Sequence, residues 1–176
     1  MSQLDSEGLA YRARALAQAH PLTPLAKQYL DRAVANEGSS QPMPEIGMWA
    51  GAALLTGYCV RRVEEEDLGL RPSDNDRPPV SLDQLDEAAG PVAVDLRGGS
   101  TEEPSPTLGH DSQSQRERLI GALDRVVGSE VSRRLDNWRD NVDDQAWVEL
   151  EDYITWWVVK GYAIRVAEIA LGAAAR

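Results

Sequence analysis

Two stretches of this chain end in the same way, and that pairing constrains the fold more than any other feature. Met48–Glu65 reads MWAGAALLTGYCVRRVEE and Tyr153–Glu168 reads YITWWVVKGYAIRVAE. Each is an apolar run that reaches Gly-Tyr, then two apolar residues, an Arg, and a Glu three positions on. Gly57, Tyr58, Arg61 and Glu64 thus match Gly161, Tyr162, Arg165 and Glu168. Both runs have helical periodicity, and on a helix the Gly, Arg and Glu of each set share one face.

Glycine costs about 1 kcal/mol relative to alanine inside a helix, so two at matching positions need a reason. The expected reason is close backbone approach: the long helices cross antiparallel near Gly57 and Gly161 about a pseudo-two-fold axis. Arg61 is then expected to face Trp157 in a cation–π contact. Two readings of the charged residues stand side by side. Arg61 with Glu64, and Arg165 with Glu168, form i, i+3 ion pairs at helix ends; or the arginines face a pocket between the halves and hold an anionic or aromatic ligand, with Tyr58, Tyr162 and Trp157 around it.

Taken in order, the chain reads as helices throughout. Asp5 or Ser6 caps a helix carrying Leu9, Ala13, Leu16 and Ala17, stopped by His20-Pro21. Thr23 caps a second with Pro24 in its first turn, closed by Asn36 to Ser40. The third runs from about Pro44 to Asp67. Residues 68–110 change character, with six prolines among acidic and small residues. They read as a partly mobile acidic connection holding one short helix near Leu82–Ala89 and an extended piece at Val92–Leu96. The second half predicts helices over 112–127 and 130–141, broken at Gly128-Ser129, and a last one from Gln145 to about Ala174.

These elements give an all-α fold, a helical bundle of about six main helices in a single domain over 1–176. Landmarks in the two halves are 106, 105 and 104 residues apart: Asp5 and Asp111, Leu30 and Leu135, Gly57 and Gly161. This spacing predicts an internal duplication, with three-helix repeats at 5–67 and 111–175.

Several functions are disfavoured by composition. A net charge of −11 repels nucleic acid from most of the surface. Met48–Val60 is closed by Arg61-Arg62 and the second run is broken by Lys160, so neither makes a span of about 20 apolar residues. The N-terminal residues carry charges where a secretory leader has an apolar run. The single Cys59 fits a reducing, cytoplasmic setting, and the Arg- and Ala-rich usage suggests a bacterial source.

Catalytic signatures are sparse. His20 and His110 read as loop histidines at helix ends, in no zinc or di-iron spacing. Gly98-Gly99-Ser100-Thr101 lacks the lysine of a phosphate loop, and Asp74-Asn75-Asp76 lacks the glycine of a calcium loop. No cofactor, metal or catalytic residue is assigned. Glu64-Glu65-Glu66-Asp67 reads as a solvated helix end, an awkward one because acids at a helix C-terminus oppose its dipole. Of the five tryptophans, Trp49, Trp138 and Trp147 read as core or core-edge. The sequence therefore points away from an enzyme. It points toward a non-catalytic protein-interaction or regulatory module with a protein partner and scope for homo-oligomers, the alternative being a small-molecule-binding bundle with its pocket between the repeats.

Overall fold

A computed structural model describes residues 4–40, 45–70, 80–98, 108, 110, 112–135 and 144–172. Six helices make up the described structure: α1 (Ser6–Ala17), α2 (Pro24–Ser40), α3 (Glu45–Leu68), α4 (Leu82–Arg97), α5 (Gln113–Leu135) and α6 (Asp144–Ala170). The fold is an all-α bundle. Its axis is the α3–α6 pair; α1 and α2 lie against α3, α4 lies against α6, and α5 contacts α1 and α6. None of these helices is long and apolar enough to cross a membrane.

Local chemistry sets the helix starts. The Asp5 carboxylate accepts from Gly8 N at 2.7 Å and caps α1. Thr23 Oγ1 accepts from Ala26 N at 3.1 Å, with Pro24 opening α2. Ser81 and Gln84 exchange hydrogen bonds in a capping box at the start of α4.

Four boundaries differ from the sequence expectation, the first three because packing overrides a local breaker. First, α2 runs through Asn36 and Gly38 to Ser40. Gly38 serves close approach there: a Cβ on the facing Gly47 would lie 2.6 Å from Val34 O and 2.8 Å from Gly38 N. Second, α4 continues through Gly90-Pro91 to Arg97, and Val92–Leu96 is helical, not extended. Leu85, Ala89, Ala93 and Leu96 form one buried stripe, and α4 packs on α6. Burial of that stripe outweighs the hydrogen bond lost at proline. Third, Gly128-Ser129 does not break α5, because Val126, Val127 and Val131 are buried on either side of it. Residues 111–175 therefore hold two helices among the described residues where the sequence predicts three; residues 136–143, with Trp138, lie outside them. Fourth, α6 ends at Ala170, four residues short of the expected Ala174, which itself lies outside the described residues. The phosphate-loop-like and calcium-loop-like stretches also fall mostly or wholly outside.

At the bundle axis the two long helices meet without side chains between them. A Cβ built on Gly57 would fall 1.9 Å from Val158 O, and one built on Gly161 would fall 1.9 Å from Leu54 O. Each glycine thus abuts the carbonyl three residues before the other glycine. Gly57→Ala or Gly161→Ala forces the helices apart and costs about 3 kcal/mol or more, as severe overpacking does. Gly128→Ala, where a Cβ meets nothing within 4 Å, instead gains about 0.5–1 kcal/mol from helix propensity. Urea unfolding of the three variants checks the contrast.

Candidate functional site

The residues singled out in the two matched stretches converge beside this crossing. Tyr58 and Tyr162, each next to its glycine, reach across to the other helix. Tyr58 OH donates to Glu168 Oε1 at 2.5 Å, and Tyr162 OH donates to Glu64 Oε1. Each Arg pairs with the Glu one turn on in its own helix: Arg61 Nη1 to Glu64 Oε1 at 2.6 Å, Arg165 Nη1 to Glu168 Oε1 at 2.8 Å. Each Arg also donates to the opposite tyrosine oxygen, Arg61 to Tyr162 at 2.9 Å and Arg165 to Tyr58 at 3.1 Å. The result is two Arg–Tyr–Glu triangles, each built from both helices.

Water is excluded from both triangles. Tyr58, Tyr162, Glu64 and Glu168 are 0% exposed, and Arg61 and Arg165 are 5% exposed. The expected i, i+3 ion pairs are therefore present, but in the interior. The cation–π partner differs from the sequence reading: Arg61 lies 5.4 Å from the Tyr162 ring centroid and Arg165 lies 5.5 Å from that of Tyr58. Trp157 lines a separate cleft of about 380 Å³ with Tyr29, Arg32 and Asp86. Tyrosine takes the contact because its hydroxyl bonds the same Glu that pairs with the arginine, fixing the ring beneath the guanidinium.

The two triangles differ in what completes them. Glu168 Oε2 accepts from Thr23 Oγ1 at 2.5 Å, which ties the start of α2 to α6. Arg165 also makes a two-point contact with Glu65, Nε to Oε2 at 2.9 Å and Nη2 to Oε1 at 3.0 Å. On the other side, Glu64 Oε2 meets His110 Nε2 at 3.0 Å, and Leu108 O accepts from Arg61 Nη1 at 2.8 Å. Leu108 and His110 are 1% and 3% exposed, so the connection before α5 is seated in the core at these two residues. His110 Nδ1 and Arg61 Nε are buried without a hydrogen-bond partner.

Protonation follows this geometry. Burial pushes the Tyr58 and Tyr162 hydroxyls up, and the charges of Glu168 and Glu64 push them further, so both stay protonated donors. Burial alone would raise Glu64, but the hydrogen bond from His110 and the Arg61 charge outweigh it and hold the carboxyl below its ordinary value. The Arg165 guanidinium loses by burial and gains more from Glu65, so it stays charged. Cys59 lies in the core, its thiol pushed up to about 12 by burial, which leaves it a small apolar filler and not a nucleophile.

The acidic end of α3 is not the solvated end that the sequence suggests. Glu64 and Glu65 are buried, Asp67 Oδ2 accepts from Arg118 at 2.5 Å, and exposed Glu66 pairs with Arg12 at 3.3 Å. Cations from α1, α5 and α6 thus offset the unfavourable dipole of four acids at a helix C-terminus. The awkward acidic run was itself the signal for those partners. His110, buried and not a loop histidine in solvent, gave no comparable signal, and neither did Leu108.

Chemically, both oxygens of Glu64, Glu65 and Glu168 are engaged by protein donors, so the cluster works as a fastener between helices. Among the described residues no group of three His, Cys, Asp or Glu side chains is placed to hold a metal ion. Set against protein-family models, curated proteins and solved structures, the chain matches none.

Deleting one partner of a buried pair strands the other. Glu64→Gln or Arg165→Met therefore costs about 3–5 kcal/mol, and Tyr162→Phe about 1–3 kcal/mol. Because the Glu64 pKa is lower folded than unfolded, its stabilisation is complete above the unfolded value, about 4.3. It is lost as pH falls through the depressed folded value. The difference in stability between wild type and Glu64→Gln therefore narrows on acidification below about pH 4.3, which thermal unfolding across pH measures.

Proposed function

We propose that this chain is a non-catalytic interaction module that engages a basic partner protein through the acidic face where α5 meets the first half of α6. One observation carries the reading: Asp124, Glu149, Glu151 and Asp152 are exposed acids on one face, and burial first and the Glu151 charge second hold the Asp124 carboxyl above the usual carboxylate range. Glu149, Glu151 and Asp152 are exposed around Val148, itself 57% exposed. No cation among the described residues forms an ion pair with Asp124, Glu149, Glu151 or Asp152.

The interior acids all have partners, whereas this surface group is left with like-charge repulsion. A partner bringing Lys or Arg around an apolar contact to Val148 relieves the repulsion and gains charge complementarity. The net charge of −11 steers such a partner toward the chain. We place no ligand between the repeats, because both arginines expected there are bonded to protein carboxylates. The reciprocal triangles support descent from a duplicated unit, and in place of the expected second repeat over 111–175, which pairs Asp5 with Asp111, we pair α1 with α4 as the third helix of the second copy. In that pairing Leu9, Ala13 and Ala17 of α1 correspond to Leu85, Ala89 and Ala93 of α4.

Stability and binding should move in opposite directions. Because the Asp124 pKa is raised in the folded state, the ionised group destabilises the fold above its unfolded pKa, and Asp124→Asn raises stability at pH 7 by about a few tenths of a kcal/mol for so exposed a group. Glu151→Lys weakens capture of the basic partner from source-cell extract about tenfold or more, and raising salt mimics it. Capture that is indifferent to Glu151→Lys and to salt contradicts the reading.

A further inference from the structure

A second surface, independent of the acidic face, has the form of a ligand site. Two cavities adjoin on the outer side of α3. The first, about 650 Å³, lies between α1, α3 and α5, and its wall includes Tyr11, Arg14, His20, Thr56, Glu130 and Arg133. The second, about 520 Å³, lies between α2 and α3 and is lined mainly by Leu22, Leu30, Val34, Met48 and Leu55. His20, Ala52 and Leu55 border both, so the two form one trough. Each volume lies in the range of small-molecule sites.

The trough is polarised. At the α1–α5 end, Arg133 and Arg134 both stand 2.9 Å from Glu130, which is 1% exposed, and neutralise it. Arg14 adds a third cation with no ion pair among the described residues. Two guanidinium groups of the wall, Arg14 and Arg133, against one carboxylate that Arg134 also neutralises leave this end positive in a chain of net charge −11. At the other end, Lys27 and Asp31 pair at 3.1 Å and cancel, leaving an apolar floor with Met48 69% exposed. From Met48 to Leu55 the helix rises about 10 Å, the reach of a medium alkyl chain.

The backbone at the joint supports a built site. His20 is the one non-glycine residue with positive φ among the described residues, at 48°, held by its N–H to Ala17 O at 3.1 Å and by Leu22 N to His20 O at 2.8 Å. Such a conformation costs free energy and persists where the surroundings enforce it. Here it sets the exposed imidazole where the charged and apolar ends meet.

We propose that this trough binds an amphipathic small-molecule anion, its carboxylate or equivalent head at Arg14 and Arg133 and its alkyl or aromatic body over Leu55, Leu30, Val34 and Met48. The guanidinium forks match a carboxylate in geometry as well as charge. Acidity of the rest of the surface excludes polyanions, which would need a wider basic field. Flexible Met48 adapts to bodies of differing shape.

Isothermal titration of the full chain with decanoate, kept below its micelle-forming concentration, tests the assignment. Saturable one-to-one binding is expected, weakening about two- to fourfold per methylene removed. Arg14→Gln, which breaks no ion pair in the fold, weakens it about tenfold or more, Met48→Glu abolishes it, and both variants keep the wild-type unfolding temperature within a few degrees. Decyltrimethylammonium, with the same body and the opposite charge, does not bind. The proposal is overturned if decanoate fails to saturate, if Arg14→Gln or the reversed head group makes no difference, or if binding is seen only to anionic lipid vesicles, which would make the surface a membrane contact instead.

Discussion

Everything in this bundle is positioned by the contact of α3 with α6 at Gly57 and Gly161. With no Cβ at either position the backbones touch carbonyl to Cα, and that proximity brings Tyr58 and Tyr162 across to the opposite helix's Glu. A larger residue at either glycine would move the hydroxyls out of reach. Close packing and buried polar chemistry are thus one constraint, since the triangles exist only at that separation. The aromatic rings in turn lie beneath the guanidinium groups and shield the ion pairs from water.

Burying two arginines and three glutamates carries a large desolvation cost, so the network is poor evidence of net stability. What it supplies is register. Sliding α6 by one turn along α3 would keep only the Arg–Glu pairs within each helix and would break at once both Tyr–Glu bonds, both Arg–Tyr bonds and the Arg165–Glu65 pair, a penalty far above the loss of generic apolar contact. The same logic extends outward. Thr23 at the start of α2 bonds Glu168, and Leu108 and His110 in the connection before α5 bond Arg61 and Glu64. The peripheral elements are thereby indexed to the central pair.

Much of this was legible in the sequence, and what was missed shares a cause. The helical class, the starts of α1, α2 and α4, and the special status of Gly57 and Gly161 follow from capping residues, periodicity and the helix cost of glycine. Wherever a local breaker met a buried stripe the stripe won, as at Gly90-Pro91 and Gly128-Ser129, because the energy resides in partners distant along the chain. The i, i+3 Arg–Glu pairs could be read from spacing, but their burial and their tyrosine partners could not, since those depend on how deep the crossing lies. Glu65 sat in plain view within an acidic run whose poor fit to the helix dipole called for cations. His110, surrounded in sequence by turn-forming residues, carried no mark of its burial.

With the core closed around its own ion pairs, the two surfaces proposed to carry function, one acidic and one a polarised trough, both depend on α3 and α6 holding α5 and α1 in place. The crossing and its triangles are expected to be the last structure to open. Native-state hydrogen exchange in stepped denaturant addresses it directly. Amides near Leu54–Val60 and Val158–Ile164 should exchange only through global unfolding, while α1 and α4 open at lower free energy. Exchange at the crossing through a partial opening that leaves α1 and α4 protected would contradict it.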